Sequence, residues 1–216
     1  MVVTNVMLSM IIILISFIAG FAIYYIFTEE DHREKMKTLE DISSVLINFV
    51  LFIWLSKVIL NFPAFISEPL TILAYPGSAE TFYLAFIFSS VLFMYQHKRR
   101  KADRGGFIKA FTMVFLLSSM VYELIQFLWN NDDGSFGYLL LLSGLLIIFL
   151  VLEKRTGLRM LTLLLITLWS GGMMLLILLY PVVTVFGYIM QPGFIALFFA
   201  ISSLIIFITV GKEGRI

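Results

Sequence analysis

Two ionisable side chains, Lys57 and Glu123, stand inside long apolar runs of this 216-residue chain. An ionisable group within a membrane-crossing helix costs about 2.5–3.5 kcal/mol on insertion scales, so such a group usually faces a cavity or a partner. Glu123 could take a proton as a general base and Lys57 could steady phosphate charge, the two halves of a lipid-modifying site. Around Glu123 the sequence places Ser119, Gln126 and Asn130. Their spacings of four, three and four put all four residues on one face of a helix. Near Lys57 stand Trp54 and Asn61, and beyond them Glu68, Glu80 and Tyr83. Lys57 and Glu123 each lie roughly 8–9 Å of helical rise from the ends of their expected helices. Equal depth and opposite charge suggest a pair across a shared polar cavity. The plainer alternatives are a snorkelling Lys57 and a protonated, hydrogen-bonded Glu123.

Other chemistries find little support. The chain has no cysteine, which removes disulfides, thiol nucleophiles, thiolate metal sites and covalent haem. His32 and His97 are the only imidazoles, far apart and without metal-ligand spacing, and His97 reads as an interfacial residue. No glycine-rich phosphate loop, nucleophile elbow or H-E-x-x-H helix occurs. No cofactor, metal or nucleic-acid partner is expected.

The elements that must position these residues are membrane helices. Hydrophobic residues make up 61% of the chain and charged ones 13%, which excludes a water-soluble fold. Seven segments approach the ~20 apolar residues a bilayer crossing needs. They are residues 6–27, 42–62, 80–97, 107–129, 136–152, 159–180 and 192–210. The expected fold is therefore all-α, one transmembrane domain spanning 1–216. Residues 181–191 are apolar too, so the sixth crossing either extends or ends in a re-entrant turn after Pro181.

Basic residues in short loops mark the cytoplasmic side. Arg33, Lys35 and Lys37 follow the first helix; Lys98, Arg99, Arg100, Lys101 and Arg104 follow the third, with Lys109 just beyond. Lys154, Arg155 and Arg159 flank the fifth connection, and Lys212 and Arg215 close the chain. The intervening loops, including Asn130–Ser135, carry none. This alternation places the amino terminus outside and the carboxyl terminus in the cytoplasm of a bacterial inner membrane. The first helix lacks a basic n-region and exceeds the usual signal-peptide core, so it reads as an uncleaved span. Ser118-Ser119, Ser170-Gly171-Gly172 and Ser202-Ser203 read as sites of close helix approach.

The segment from Leu39 to Phe111 resembles prolipoprotein diacylglyceryl transferase. The resemblance rests chiefly on Asn61-Phe62-Pro63, Phe65 and Glu68-Pro69-Leu70, with a weaker echo in Tyr138 and Ser143-Gly144. It implies a seven-helix bundle that handles phosphatidylglycerol and a lipoprotein segment. The departures are large. Tyr83 stands in the place of the family's histidine, and the arginine-and-asparagine motif at the end of the fourth helix has no counterpart. The sixth helix carries no charge past Arg159. The expectation is a catalytically silent relative that binds a phospholipid, a lipoprotein segment or another membrane protein. Its candidate ligand-binding residues are Lys57, Asn61, Glu68, Glu80, Tyr83, Ser119, Glu123, Gln126 and Asn130; Glu123, Lys57 and Tyr83 would be catalytic if activity survives. The alternatives are an active lipid transferase and a small-solute transporter.

Overall fold

In hydrocarbon every backbone N–H and C=O must be satisfied within the protein, and helices do this segment by segment. The computed structural model, which describes residues 2–69, 78–99, 104–130, 133–180 and 182–213, is accordingly all-α, with one short hairpin. The helices are α1 (Val2–Phe27), α2 (His32–Leu60), the short α3 (Phe62–Ser67), α4 (Ala79–Arg99), α5 (Arg104–Asn130), α6 (Asp133–Leu152), α7 (Leu158–Leu179) and α8 (Pro192–Glu213). Strands β1 (Thr184–Val185) and β2 (Tyr188–Ile189) lie between α7 and α8.

Among the described residues five helices, α1, α2, α5, α6 and α7, are long and apolar enough to cross a bilayer. The chain is a multi-pass membrane protein. Large side chains such as Ile18, Ile47, Ile147 and Leu178 are exposed on these helices, as lipid-facing positions require. Helices α4 and α8 occupy the other two expected segments. Leu70, the loop residues Arg100 and Lys101, the turn residues Asn131 and Asp132, Pro181 and Arg215 lie outside the described residues, as do the side chains of His97, Lys98, Arg99, Arg104, Asn130, Ser202 and Lys212.

The helical contacts group into two units. One comprises the chain up to residue 11 together with 25–111; the other comprises 12–24 and 112 onward. In the first unit α2 packs along α4. Phe49 meets Phe82 edge-on at 5.4 Å between ring centroids, and Phe52 meets Phe88 at 5.7 Å. Helix α2 starts ten residues before the expected crossing, at His32 rather than residue 42. The reason is local: Glu34, Lys35, Met36, Lys37 and Leu39 are good helix formers, so the helix continues past the end of the apolar stretch. Lys35 donates to the Tyr25 carbonyl (3.0 Å), and the Tyr25 hydroxyl pairs with His32 Nδ1 (2.7 Å), closing the α1–α2 turn.

In the second unit α6 packs along α7, and α7 along α8. Small residues allow the approach. A Cβ on Gly137 would come within 2.8 Å of the Tyr180 ring and 2.9 Å of Leu176, and one on Gly172 would strike Leu141. A Cβ on Gly20 of α1 would strike the Ser118 hydroxyl of α5. Ser118 and Gly172 thus serve the close packing expected of their clusters.

The sixth crossing does not extend: α7 ends at Leu179 and residues 184–189 form the hairpin instead. Thr184 pairs with Ile189 and Val185 with Tyr188, antiparallel. The turn residues Phe186 and Gly187 both have positive φ, 50° and 81°. Two consecutive positive-φ residues match the twist of a two-residue hairpin. Val183, Val185 and Met190 are buried, anchoring the hairpin in the unit.

Candidate functional site

Glu123 is the organising residue of the second unit. Helix α5 delivers it as one member of the stripe read from the sequence, and it is only 2% exposed. Ser119, one turn earlier, is buried as well, and Gln126 is half-buried. Tyr122 precedes Glu123 and accepts a hydrogen bond from Gln126 Nε2 at 2.9 Å. From α6 comes Tyr138, fully enclosed, whose hydroxyl accepts from the indole N–H of Trp169 on α7 at 3.0 Å. The Glu123 carboxyl lies within electrostatic range of both phenols. Three helices therefore bring one carboxyl, two phenols, an amide and an indole together.

Serines within helices normally bond to the carbonyl four residues back, as Ser16, Ser43, Ser143 and Ser170 do here at 2.7 to 2.8 Å. Ser118 and Ser119 do not: their Oγ atoms are buried without a hydrogen-bond partner. Leaving such a group unsatisfied costs about 1–3 kcal/mol. For Ser118 the tight contact with Gly20 explains the position. Ser119 has no such reason, and its hydroxyl is spare on the same helix face as Glu123.

No protein-family model, curated protein or solved structure matches the chain. The site must be read from its own chemistry.

The hairpin covers part of it. The Phe186 ring stacks on Phe17 of α1 (5.1 Å, 20° between planes) and also meets Phe115 (5.7 Å) and Tyr122 (5.3 Å) of α5. Phe127 near the end of α5 and Phe136 in the first turn of α6 meet at 5.0 Å, marking one end of the unit. Measured back from Asn130 at that end, Tyr122 and Phe115 lie ~12 and ~22 Å down the helix. Phe186 therefore packs, half-buried, well along α5 from that end. A Cβ on Gly187 would stand 3.1 Å from the Tyr122 hydroxyl, so the turn also rests on the hydroxyl that Gln126 holds. Positive φ at a non-glycine residue stores about 1–3 kcal/mol of strain unless the surroundings enforce it, and the aromatic slot is what enforces it here.

The remaining candidates belong to the first unit. Lys57 is 8% exposed on α2. Asn61 is engaged in ending that helix: its amide nitrogen and its backbone N–H both donate to the Lys57 carbonyl at 3.0 Å. Pro63 stands in the first turn of α3, and Glu68 is exposed at the end of that short helix. Glu80 is exposed in the first turn of α4, and Tyr83 lies half-buried against Phe82 at 6.3 Å. Because Lys57 and Glu123 fall in different units, their pairing remains a sequence-based expectation. Among the described residues no group of three His, Cys, Asp or Glu could hold a metal.

Sequence reasoning missed Tyr122, Trp169 and Phe186 as site residues, and it read Tyr138 only as part of a family resemblance. One signal was present for the first. Tyr122 and Gln126 stand four apart, the spacing at which helical side chains meet. Nothing in the local sequence joins Tyr138 to Trp169, which are 31 residues apart.

Proposed function

We propose that this chain is a non-catalytic binding protein of the bacterial inner membrane, crossing seven times with its amino terminus outside, and that the Glu123 cluster receives the polar headgroup of a phospholipid. The single observation that carries the reading is Ser119: a buried hydroxyl with no hydrogen-bond partner, one helical turn from a buried carboxyl. That arrangement is unfavourable for a purely structural core and favourable for a ligand that supplies the missing bond. The resemblance of Asn61-Phe62-Pro63 and Glu68-Pro69 to a lipid transferase supports a lipid as the ligand, and the vacancy of its histidine and arginine positions supports silence.

Mass spectrometry of the protein released from mild detergent tests this. Wild type should retain a defined phospholipid, and Ser119→Ala and Glu123→Gln should each lose it while remaining folded. A lipid complement unchanged in both variants would overturn the reading. Transfer of labelled diacylglycerol to a lipobox peptide by the wild-type protein would overturn its non-catalytic part.

A further inference from the structure

The Glu123 cluster is closed as it stands. Glu123, Tyr122, Tyr138 and Ser119 are all buried, so nothing reaches the carboxyl unless a wall of the site moves. The candidate walls differ in kind. Helices α5, α6 and α7 are continuous hydrogen-bonded rods of 27, 20 and 22 residues. Glycines set α6 and α7 closely against their neighbours. Moving any of them breaks that packing along its length. The hairpin is different: its ladder is two residue pairs, and its tip holds Phe186 in a backbone conformation that phenylalanine disfavours. Beyond the hairpin ladder, the ring is held by the slot formed by Phe17, Phe115 and Tyr122.

We propose that the hairpin is a gate, with the Phe186 ring as a removable plug whose withdrawal from the slot opens a route past Tyr122 to the Glu123 carboxyl. Withdrawal relaxes the strained turn, which offsets part of the lost ring contact and keeps the closed and open forms close in energy. Tyr122 links gate and site directly. Its ring forms one side of the slot, its hydroxyl supports Gly187, and the same hydroxyl holds Gln126 beside Glu123. The gate does not depend on the ligand being a lipid, so it stands or falls apart from the headgroup proposal.

The test uses dicyclohexylcarbodiimide, an apolar reagent that modifies protonated carboxyls inside membranes, and reads the Glu123 adduct by peptide mass spectrometry in the full-length membrane-embedded protein. Glu123→Gln defines the background. Phe186→Ala and Phe17→Ala should each speed modification on the order of tenfold, equivalent to ~1.4 kcal/mol in the closed–open balance. Phe136→Ala, which removes a ring contact at the end of α5 and not in the slot, should leave the rate near wild type. Equal acceleration by Phe136→Ala would mean general loosening and would overturn the gate, as would an unchanged rate in Phe186→Ala.

Because a core alanine can unsettle the whole unit, a reversible lock gives a second reading. The chain has no cysteine, so Phe115→Cys with Phe186→Cys provides a unique pair. Bridging the two with a short cleavable thiol cross-linker should suppress modification of Glu123, and cleaving the bridge should restore it in the same sample. Modification that proceeds at the same rate with the bridge intact and cleaved would overturn the proposal.

Discussion

Trp169 reaches from α7 to Tyr138 on α6 with a side-chain hydrogen bond between helices, and its removal is informative in both directions. Trp169→Phe strands a phenol oxygen that is wholly buried, at a cost of about 1–3 kcal/mol. Tyr138→Phe strands a half-buried indole N–H instead, a smaller loss. The double variant removes both polar groups and should recover part of the larger loss, measured as thermal unfolding in detergent. Strict additivity of the two single losses would mean that the bond contributes nothing in the folded protein. Glu123, Ser119 and Gln126 were legible in the sequence because polar residues at helical spacing inside an apolar run have no other economical explanation. Tyr138 and Trp169 were not legible as partners, since each alone is an ordinary amphipathic side chain of a membrane helix.

At the scale of elements, the crossing of α1 and α5 turns on one glycine. Gly20→Ala drives a Cβ into the Ser118 hydroxyl and to within 3.1 Å of the Ser118 backbone nitrogen. Overpacking of this kind costs about 1–3 kcal/mol, which outweighs the ~1 kcal/mol by which alanine favours a helix over glycine. Ser118→Ala by itself should be neutral or slightly stabilising, because it deletes a buried oxygen that has no hydrogen-bond partner. Combined, the two should recover only part of the Gly20→Ala loss, since the backbone contact persists. Melting temperatures of the three variants decide this, and a strongly destabilised Ser118→Ala would refute the packing account. The long helices were readable from hydropathy alone. The extension of α2 back to His32 was not, because hydropathy reports lipid contact and is silent about helix that continues into water. The hairpin was not legible: residues 181–191 read as an extended crossing or a re-entrant turn, since Thr184 to Ile189 is apolar without the alternation that would have declared its strands.

For the whole molecule, the absence of native cysteine makes the proposed orientation directly measurable. Ser78→Cys and Asp133→Cys, both at exposed positions, should react with an impermeant thiol reagent applied to intact cells, and the exposed Met36→Cys should not. Ser135, beside Asp133 in the sequence, is buried and would report nothing. Labelling of Met36→Cys from outside would reverse the proposed topology. The hairpin also carries a consequence for biogenesis. Helices can enter the bilayer one at a time because each arrives with its backbone satisfied, and they associate afterwards. Residues 182–191 form no such rod, and the slot that receives Phe186 exists only once Phe17 and Phe115 stand side by side. The segment must therefore wait at the membrane surface while α1 and α5 find one another, and its entry is a late event in maturation. A nascent chain halted before that event would leave the Phe186 ring outside the slot formed with Phe17 and Phe115, and the formation of those ring contacts would time the completion of assembly.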